Sequence, residues 1–226
     1  MLQKYNAQPK GPGVQSSAPH VIQQHREVCA ISDTKLSRLL AETDHKPDAL
    51  TAFRLARQWF KENRRIEMRE LAEELGVSRA TLFRWVGSRD DLLAEVLWSL
   101  AQPTLEQAQQ SVRGRGGVRV ARVLRRYAEL MHTADYFRAY LHREPERALR
   151  VLTTAAGTVQ GRVVAAVGEI LRDEVEHGAL TLSLPLRDMA YLLVRIVETF
   201  LYTDIITGDE PDPAKIEQAT AALLRD

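Results

Sequence analysis

The sequence predicts an all-α fold in two parts, a small N-terminal domain and a larger C-terminal one, and three observations predict it. Apolar residues recur at three- and four-residue spacing along most of the chain from Pro47 onward. Residues that start and stop helices punctuate that pattern. Asp48, Ser78 and Ser88 stand where helices begin, Gly76 and Gly87 where they end, and Pro145 and Pro213 in first turns. No convincing run alternates apolar and polar residues; Thr181 to Leu184 is short and stops at Pro185.

Residues 1–19 hold Pro9, Gly11, Pro12, Gly13 and Pro19 among polar neighbours and read as a disordered arm. Residues 20–46 read as a helical extension, from the spacing of Ile22, Val28 and Cys29 and then Leu36, Leu39 and Leu40. Residues 47–100 make the first domain. Asp48 caps a helix to about Asn63, with Phe53, Ala56 and Phe60 on one stripe and Trp59 alongside. A second helix runs from about Met68 to Leu75 and ends at Gly76, where a left-handed residue is wanted. Ser78 caps a third, Arg79 to Trp85, which Gly87 breaks. Ser88 followed by Asp91 has the form of a capping box and starts a fourth, carrying Leu92, Leu93, Val96, Leu97 and Leu100. Residues 101–226 make the second domain. Helices are predicted near 118–132, 134–142, 145–177, 185–207 and 213–225, after a break at Gly114, Gly116 and Gly117.

Composition narrows the function. Of 226 residues, 45% are apolar and 27% charged, a balance that excludes wholesale disorder. Cys29 is the only cysteine, so neither an internal disulfide nor a cysteine-built zinc site is expected. No uncharged apolar run approaches the ~18 residues a bilayer span needs, and Met1 to Gln24 lacks an apolar signal core, so a cytoplasmic chain with no membrane partner is expected. No nucleophile elbow, zinc-protease helix or phosphate loop occurs, and the six histidines are scattered. The expectation is no enzyme, no cofactor and no metal.

The informative stretch runs from Met68 to Val86. It reads helix, tight glycine turn, helix, and Leu71, Leu75, Val77, Leu82 and Val86 make one seam between the two helices. Two short helices bury little alone, so the helix from Asp48 must close their core, which is the construction of a helix-turn-helix. The second helix is then free to enter a major groove of double-stranded DNA. Between Leu75 and Arg89 lie three arginines and no acid. Arg79, near the start of that helix, suits a guanine edge, and Thr81 a phosphate or a thymine methyl. Arg84 and Trp85 reach outward at its end, while Ser88 and Arg89 open the next helix, whose free N–H groups favour a phosphate.

Residues 48–100 resemble the DNA-binding domain of the TetR family of bacterial repressors. The resemblance lies in Leu71-Ala72, Leu75-Gly76-Val77-Ser78-Arg79-Ala80-Thr81-Leu82-Phe83, Val86, and Ser88-Arg89-Asp90-Asp91-Leu92-Leu93. It implies that Arg69, Ser78, Arg79, Thr81, Phe83 and Trp85 face DNA and that Arg89 anchors a phosphate. Phe83 replaces the family's usual Tyr, and Trp85 its commoner His or Phe. The C-terminal part resembles the QsdR-like branch of the family, which is associated with acyl-homoserine-lactone breakdown.

The resemblance also implies a small effector bound in the C-terminal domain. Trp98, Tyr127, Phe137, Tyr140, Tyr191 and Arg195 are the candidate pocket residues, a mainly apolar wall that suits an acyl or lactone compound. Pro185 to Ile206 is apolar on most faces and must be covered on both sides. With the final helix it predicts a homodimer interface through Met189, Leu192, Ile196, Phe200, Ile216 and Leu223. A two-fold dimer sets two reading helices about one DNA turn apart and so predicts a palindromic operator. The expected function is a ligand-responsive repressor, released from DNA when effector shifts the fourth helix. The alternatives are a helical protein-interaction module and an enzyme, each with a helix-turn-helix not used for DNA.

Overall fold

Asp48 accepts a hydrogen bond from the Thr51 amide at 2.7 Å and so starts the first helix of the computed structural model, which describes residues 35, 46–155 and 157–225. The arm and helical extension expected over residues 1–45 lie outside the described residues, save Lys35. Eleven helices follow among those residues, and no strand: α1 (Ala49–Lys61), α2 (Met68–Glu74), α3 (Arg79–Val86), α4 (Arg89–Ser111), α5 (Gly116–His132), α6 (Asp135–Arg143), α7 (Pro145–Thr153), α8 (Val159–Glu176), α9 (Leu186–Leu201), α10 (Thr203–Ile206) and α11 (Pro213–Leu223). The all-α fold read from the sequence is the fold of the chain.

Each expected punctuation mark of the N-terminal part has a structural counterpart. Gly76 adopts φ +65°, and the Val77 amide donates back to Ala72 O at 3.0 Å, closing α2. Ser78 Oγ accepts from the Thr81 amide at 3.0 Å and opens α3. Ser88 and Asp91 cap α4 reciprocally: the Asp91 amide donates to Ser88 Oγ and the Ser88 amide to Asp91 Oδ2, at 3.2 and 2.7 Å. The core of this part is Ala52, Ala56, Trp59 and Phe60 from α1, Leu71 from α2, Leu82 from α3 and Leu92 from α4, all buried.

Helix α4 is 23 residues long and passes through residue 100 without a break. It packs against α1 and α3, which with α2 and its own first turn are called the head, and against α5, α7 and α8 of the remainder, called the body, into which its Leu97 and Leu100 are buried. In the body α5 packs against α4, α9 and α11, and α8 against α9.

Two expected helices are each divided in two. The stretch expected as 145–177 is interrupted between Thr153 and Val159, where the Gly157 amide donates to Thr154 O at 3.1 Å. A Cβ on Gly157 would lie 2.0 Å from Val151 O, so this close backbone approach requires glycine. The stretch expected as 185–207 is divided at Tyr202, whose buried ring turns inward beside Phe137. The last helix, α11, lies on its own chain, with Ile216 wholly buried and Leu224 O within 2.7 Å of where a Gly117 Cβ would sit. Met189 is buried in the same way. Ile216 and Met189 therefore form intrachain core where the sequence suggested a dimer contact, because α11 lies along α5 instead of standing free.

Candidate nucleic-acid interface and internal cavity

The seam between α2 and α3 fixes which side of α3 faces out. Leu82 points inward at 0% exposure, with Val77 and Val86 half-buried beside it. The opposite face presents Ser78, Arg79, Ala80, Phe83 and Arg84, all exposed. Thr81 stands half-buried between them, its Oγ1 2.9 Å from Ser78 Oγ. Neither Arg79 nor Arg84 has an ion-pair partner among the described residues. In α2 and the loop before it the arginines are paired: Arg64 with Glu70 and Glu74, Arg65 with Glu67, Arg69 with Glu73 four residues on. The face of α3 that can reach a polyanion therefore carries positive charge with no ion-pair partner among the described residues.

Three of the residues expected to face DNA lie differently from Arg79. Trp85 is half-buried and lines an apolar groove with Leu50, Phe53 and Val86. The Ser88 hydroxyl is engaged by Asp91 in the cap. Arg89 turns inward at 12% side-chain exposure; its Nε donates to Ile66 O at 2.5 Å, and Nη1 and Nη2 to the two oxygens of Glu144, each at 2.7 Å.

Behind the head an internal cavity of about 30 Å³ lies among α4 to α9. Leu97 and Leu100 of α4, Tyr127 and Met131 of α5, Tyr136 and Phe137 of α6 and Val194, Val197 and Leu201 of α9 form much of its wall. Tyr127 and Phe137 were expected there. Tyr140 lies one turn farther along α6, against Phe60 at 5.3 Å between ring centroids, and its buried hydroxyl has no hydrogen-bond partner among the described residues. Trp98 is half-buried on α4 with the Arg162 guanidinium 6.0 Å from its ring. Tyr191 is 47% exposed on the outer side of α9, away from the cavity wall. Arg195 stands at the surface and pairs with Glu198.

Glu198 also lines the cavity. Among the described residues it is the one charged side chain on the wall, and its carboxylate also accepts from Gln160 Nε2 at 3.3 Å. Burial raises its pKa to about 7, although Arg195 and Gln160 oppose the shift. The sign follows. The folded chain binds this proton more tightly than the unfolded chain, so Glu198 weakens the fold as pH rises from 4.5 through about 7. Glu198→Gln should therefore raise stability at pH 8 by up to about 3 kcal/mol and leave it nearly unchanged at about pH 4, below the unfolded pKa, read from melting curves of both proteins across that range. Arg195 is exposed enough to rehydrate in the variant.

The outer faces of α8 and α9 form a shallow groove of about 620 Å³ with Gly161, Val164 and Ala165 on one side and Ala190 and Tyr191 on the other. Leu192 is 37% exposed on the same helix as Tyr191, with Ile196 and Phe200 half-buried below it. Leu223 is half-buried on α11. Among the described residues no group of three His, Cys, Asp or Glu side chains is placed to hold a metal ion. No described helix is long and apolar enough to cross a membrane.

Comparison with known proteins adds to this geometry. Residues 115–225 match the family model of a tetracyclin repressor-like C-terminal domain. The structure of the R. erythropolis transcriptional repressor QsdR, from the TetR family, is similar at 29% identity and TM-score 0.73, covering 79% of this chain and 96% of that one. The transcriptional regulator FadR from Bacillus subtilis, solved with stearoyl-CoA, shares the fold at 14% identity and TM-score 0.50, covering 77% of this chain and 96% of that one. No curated protein sequence matches the chain.

Proposed function

The chain belongs to the TetR family of transcriptional regulators, non-enzymatic proteins whose DNA binding responds to a ligand, and on that premise we propose that it is a dimeric repressor released from a palindromic operator by a small, mainly apolar effector. The observation that carries this reading is the face of α3. Arg79 and Arg84 are exposed beside Ser78 and Phe83 with no ion-pair partner among the described residues, on a helix whose other side is locked by Leu82. Arg79 is the base-reading residue of this proposal. Ser78, Thr81, Phe83, Arg84 and Arg69 supply backbone and flanking contacts, and Trp85 and Ser88 shape the end of the helix. That QsdR is a repressor at 29% identity supports the sign of regulation.

Continuity of α4 supplies the coupling. The helix that begins at the Ser88–Asp91 cap carries Leu97 and Leu100 into the cavity wall. An effector pocket of ordinary size holds several hundred Å³, against the roughly 30 Å³ enclosed here. An effector that enters must move the walls, α4 among them, and binds best the arrangement in which the head has shifted. Aliphatic and aromatic walls with a single polar end suit an acyl or lactone compound.

The dimer of this proposal forms through α8 and α9, where Leu192, Ile196 and Phe200 of the expected interface lie near the open groove. Leu192→Glu together with Ile196→Glu should raise the dimer dissociation constant at least tenfold, measured by sedimentation, with little change in helicity. The function itself is tested by selecting bound duplexes from a random pool. A palindrome with half-sites about one turn, ~34 Å, apart is the expected outcome, and recovery of no enriched sequence would sink the proposal.

A further inference from the structure

Helix α6 gives way to α7 at Glu144, whose backbone (φ −138°, ψ 58°) turns the chain at the edge of the head. Side-chain contacts fix this corner to two parts of the head. Both Glu144 oxygens accept from Arg89 at 2.7 Å, with side chains 9% and 12% exposed. Arg89 Nε in turn holds Ile66 O, in the loop before α2. Arg143 Nη1 donates to Asn63 O at 2.7 Å, in the same loop, where Asn63 itself adopts φ +59°. Arg147 reaches Asp90 Oδ1 at 2.5 Å, in the first turn of α4. Two turns back along α6, Tyr136 and Phe137 line the cavity.

We infer that Arg89 is a positioning residue that acts through Glu144, coupling the cavity wall on α6 to the loop and helix that aim α3, and not the phosphate anchor that its place at the start of α4 implies. This inference rests on the proposed DNA-binding function and adds a mechanical link to it. For Arg89 to reach a phosphate it must leave a desolvated bidentate pair and give up the Glu144 carboxylate at 9% exposure, where among the described residues the farther Arg147, Arg65 and Arg143 remain, at 3.3, 3.5 and 3.9 Å, none of them by a bidentate fork. The fork of two parallel N–H bonds fixes the angle between corner and helix, which a lysine at this position could not do. Outward movement of Tyr136 and Phe137 would tilt α6 and pull, through Glu144 and Arg143, on both the loop that precedes α2 and the first turn of α4. Either movement re-aims α3.

The test uses the full-length protein and a duplex recovered by selection with it, with affinity read by fluorescence anisotropy at several salt concentrations. Arg89→Ala and Glu144→Gln should each weaken binding by a similar factor, and the double variant no more than either alone. The slope of log affinity against log salt should stay within half a unit of the parent. A phosphate anchor behaves in the opposite way: Arg89→Ala lowers the slope by about one unit, and Glu144→Gln frees the arginine and tightens binding. Either of those results overturns the inference and leaves the proposed function intact, whereas a parent protein that binds no duplex overturns both. Coupling is read separately by crowding the cavity with Val197→Phe. It should weaken DNA binding at least tenfold with the corner intact and less than twofold in the Glu144→Gln background; equal factors overturn the inference. Val163→Phe, at a half-buried wall position, serves if circular dichroism shows that Val197→Phe does not fold.

Discussion

Gly87→Ala lowers the free energy of unfolding by about 2–4 kcal/mol and removes DNA binding along with it. Gly87 sits at φ 70°, ψ −147°, a region that residues with a Cβ scarcely enter, and forcing an alanine there costs about 1–3 kcal/mol. The added methyl would also stand 2.7 Å from Asp91 Oδ2. That oxygen accepts from the Ser88 amide and hydroxyl, both at 2.7 Å, contacts that hold the Asp91 carboxyl below its usual pKa range. Moving it breaks the cap of α4, a further loss of about 1 kcal/mol. Gly76→Ala is the control. Gly76 also has positive φ, at +65°, but nothing within 4 Å of its would-be Cβ, so only a backbone penalty of about 1–2 kcal/mol applies. Denaturant titration of both variants should show the larger loss at Gly87. Equal losses would mean that the cap yields without cost.

Cap chemistry also explains what was legible in the sequence. Asp48, Ser78, the Ser88–Asp91 pair, Gly76 and Gly87 act on amides and carbonyls within three or four positions of themselves, so their roles can be read from the chain alone. The seam of Leu71 and Leu82 is legible for the same reason, since one turn fixes the spacing on both sides. The interruption at Gly157 was not. It depends on Val151 O coming close to the Gly157 backbone, and apolar spacing continues across it as if one helix ran through. The burial of Met189 and Ile216 was hidden too. A helix apolar on every face states that it is covered, but not whether its own chain or a second copy covers it.

The same limit applies to the candidate sites. The outward face of α3 follows from its inward face, so Ser78, Arg79, Phe83 and Arg84 are exposed as the spacing requires. Arg89 is exposed by its helix position and enclosed only because Glu144, 55 residues later, lies across from it. No local rule links two residues that far apart. Aromatic content marked the cavity in outline through Tyr127 and Phe137, but its polar end was hidden. Glu198 follows Arg195 by three residues and reads as half of an ordinary helical surface pair until Gln160 and the cavity enclose it.

Arg79→Ala should weaken binding to the selected operator by about 1–3 kcal/mol per half-site, roughly 5- to 150-fold, while affinity for unrelated duplexes changes little. The asymmetry between specific and unrelated DNA is the informative part. A guanidinium that donates two hydrogen bonds to a guanine edge discriminates one base pair from the other three, whereas one resting on a phosphate weakens every sequence alike. Arg79 favours the first role because it is the first residue of α3, exposed and without an ion-pair partner among the described residues, so its fork is free to meet a base. The Ser78 cap and the Leu82 seam hold the helix beneath it and are untouched by the substitution, so thermal stability should stay within about 0.5 kcal/mol of the parent. Repeating the selection with the variant should yield sites that keep their spacing and symmetry and lose preference at one position in each half. A uniform loss across specific and unrelated duplexes would instead make Arg79 a backbone contact and move base reading to another residue of α3.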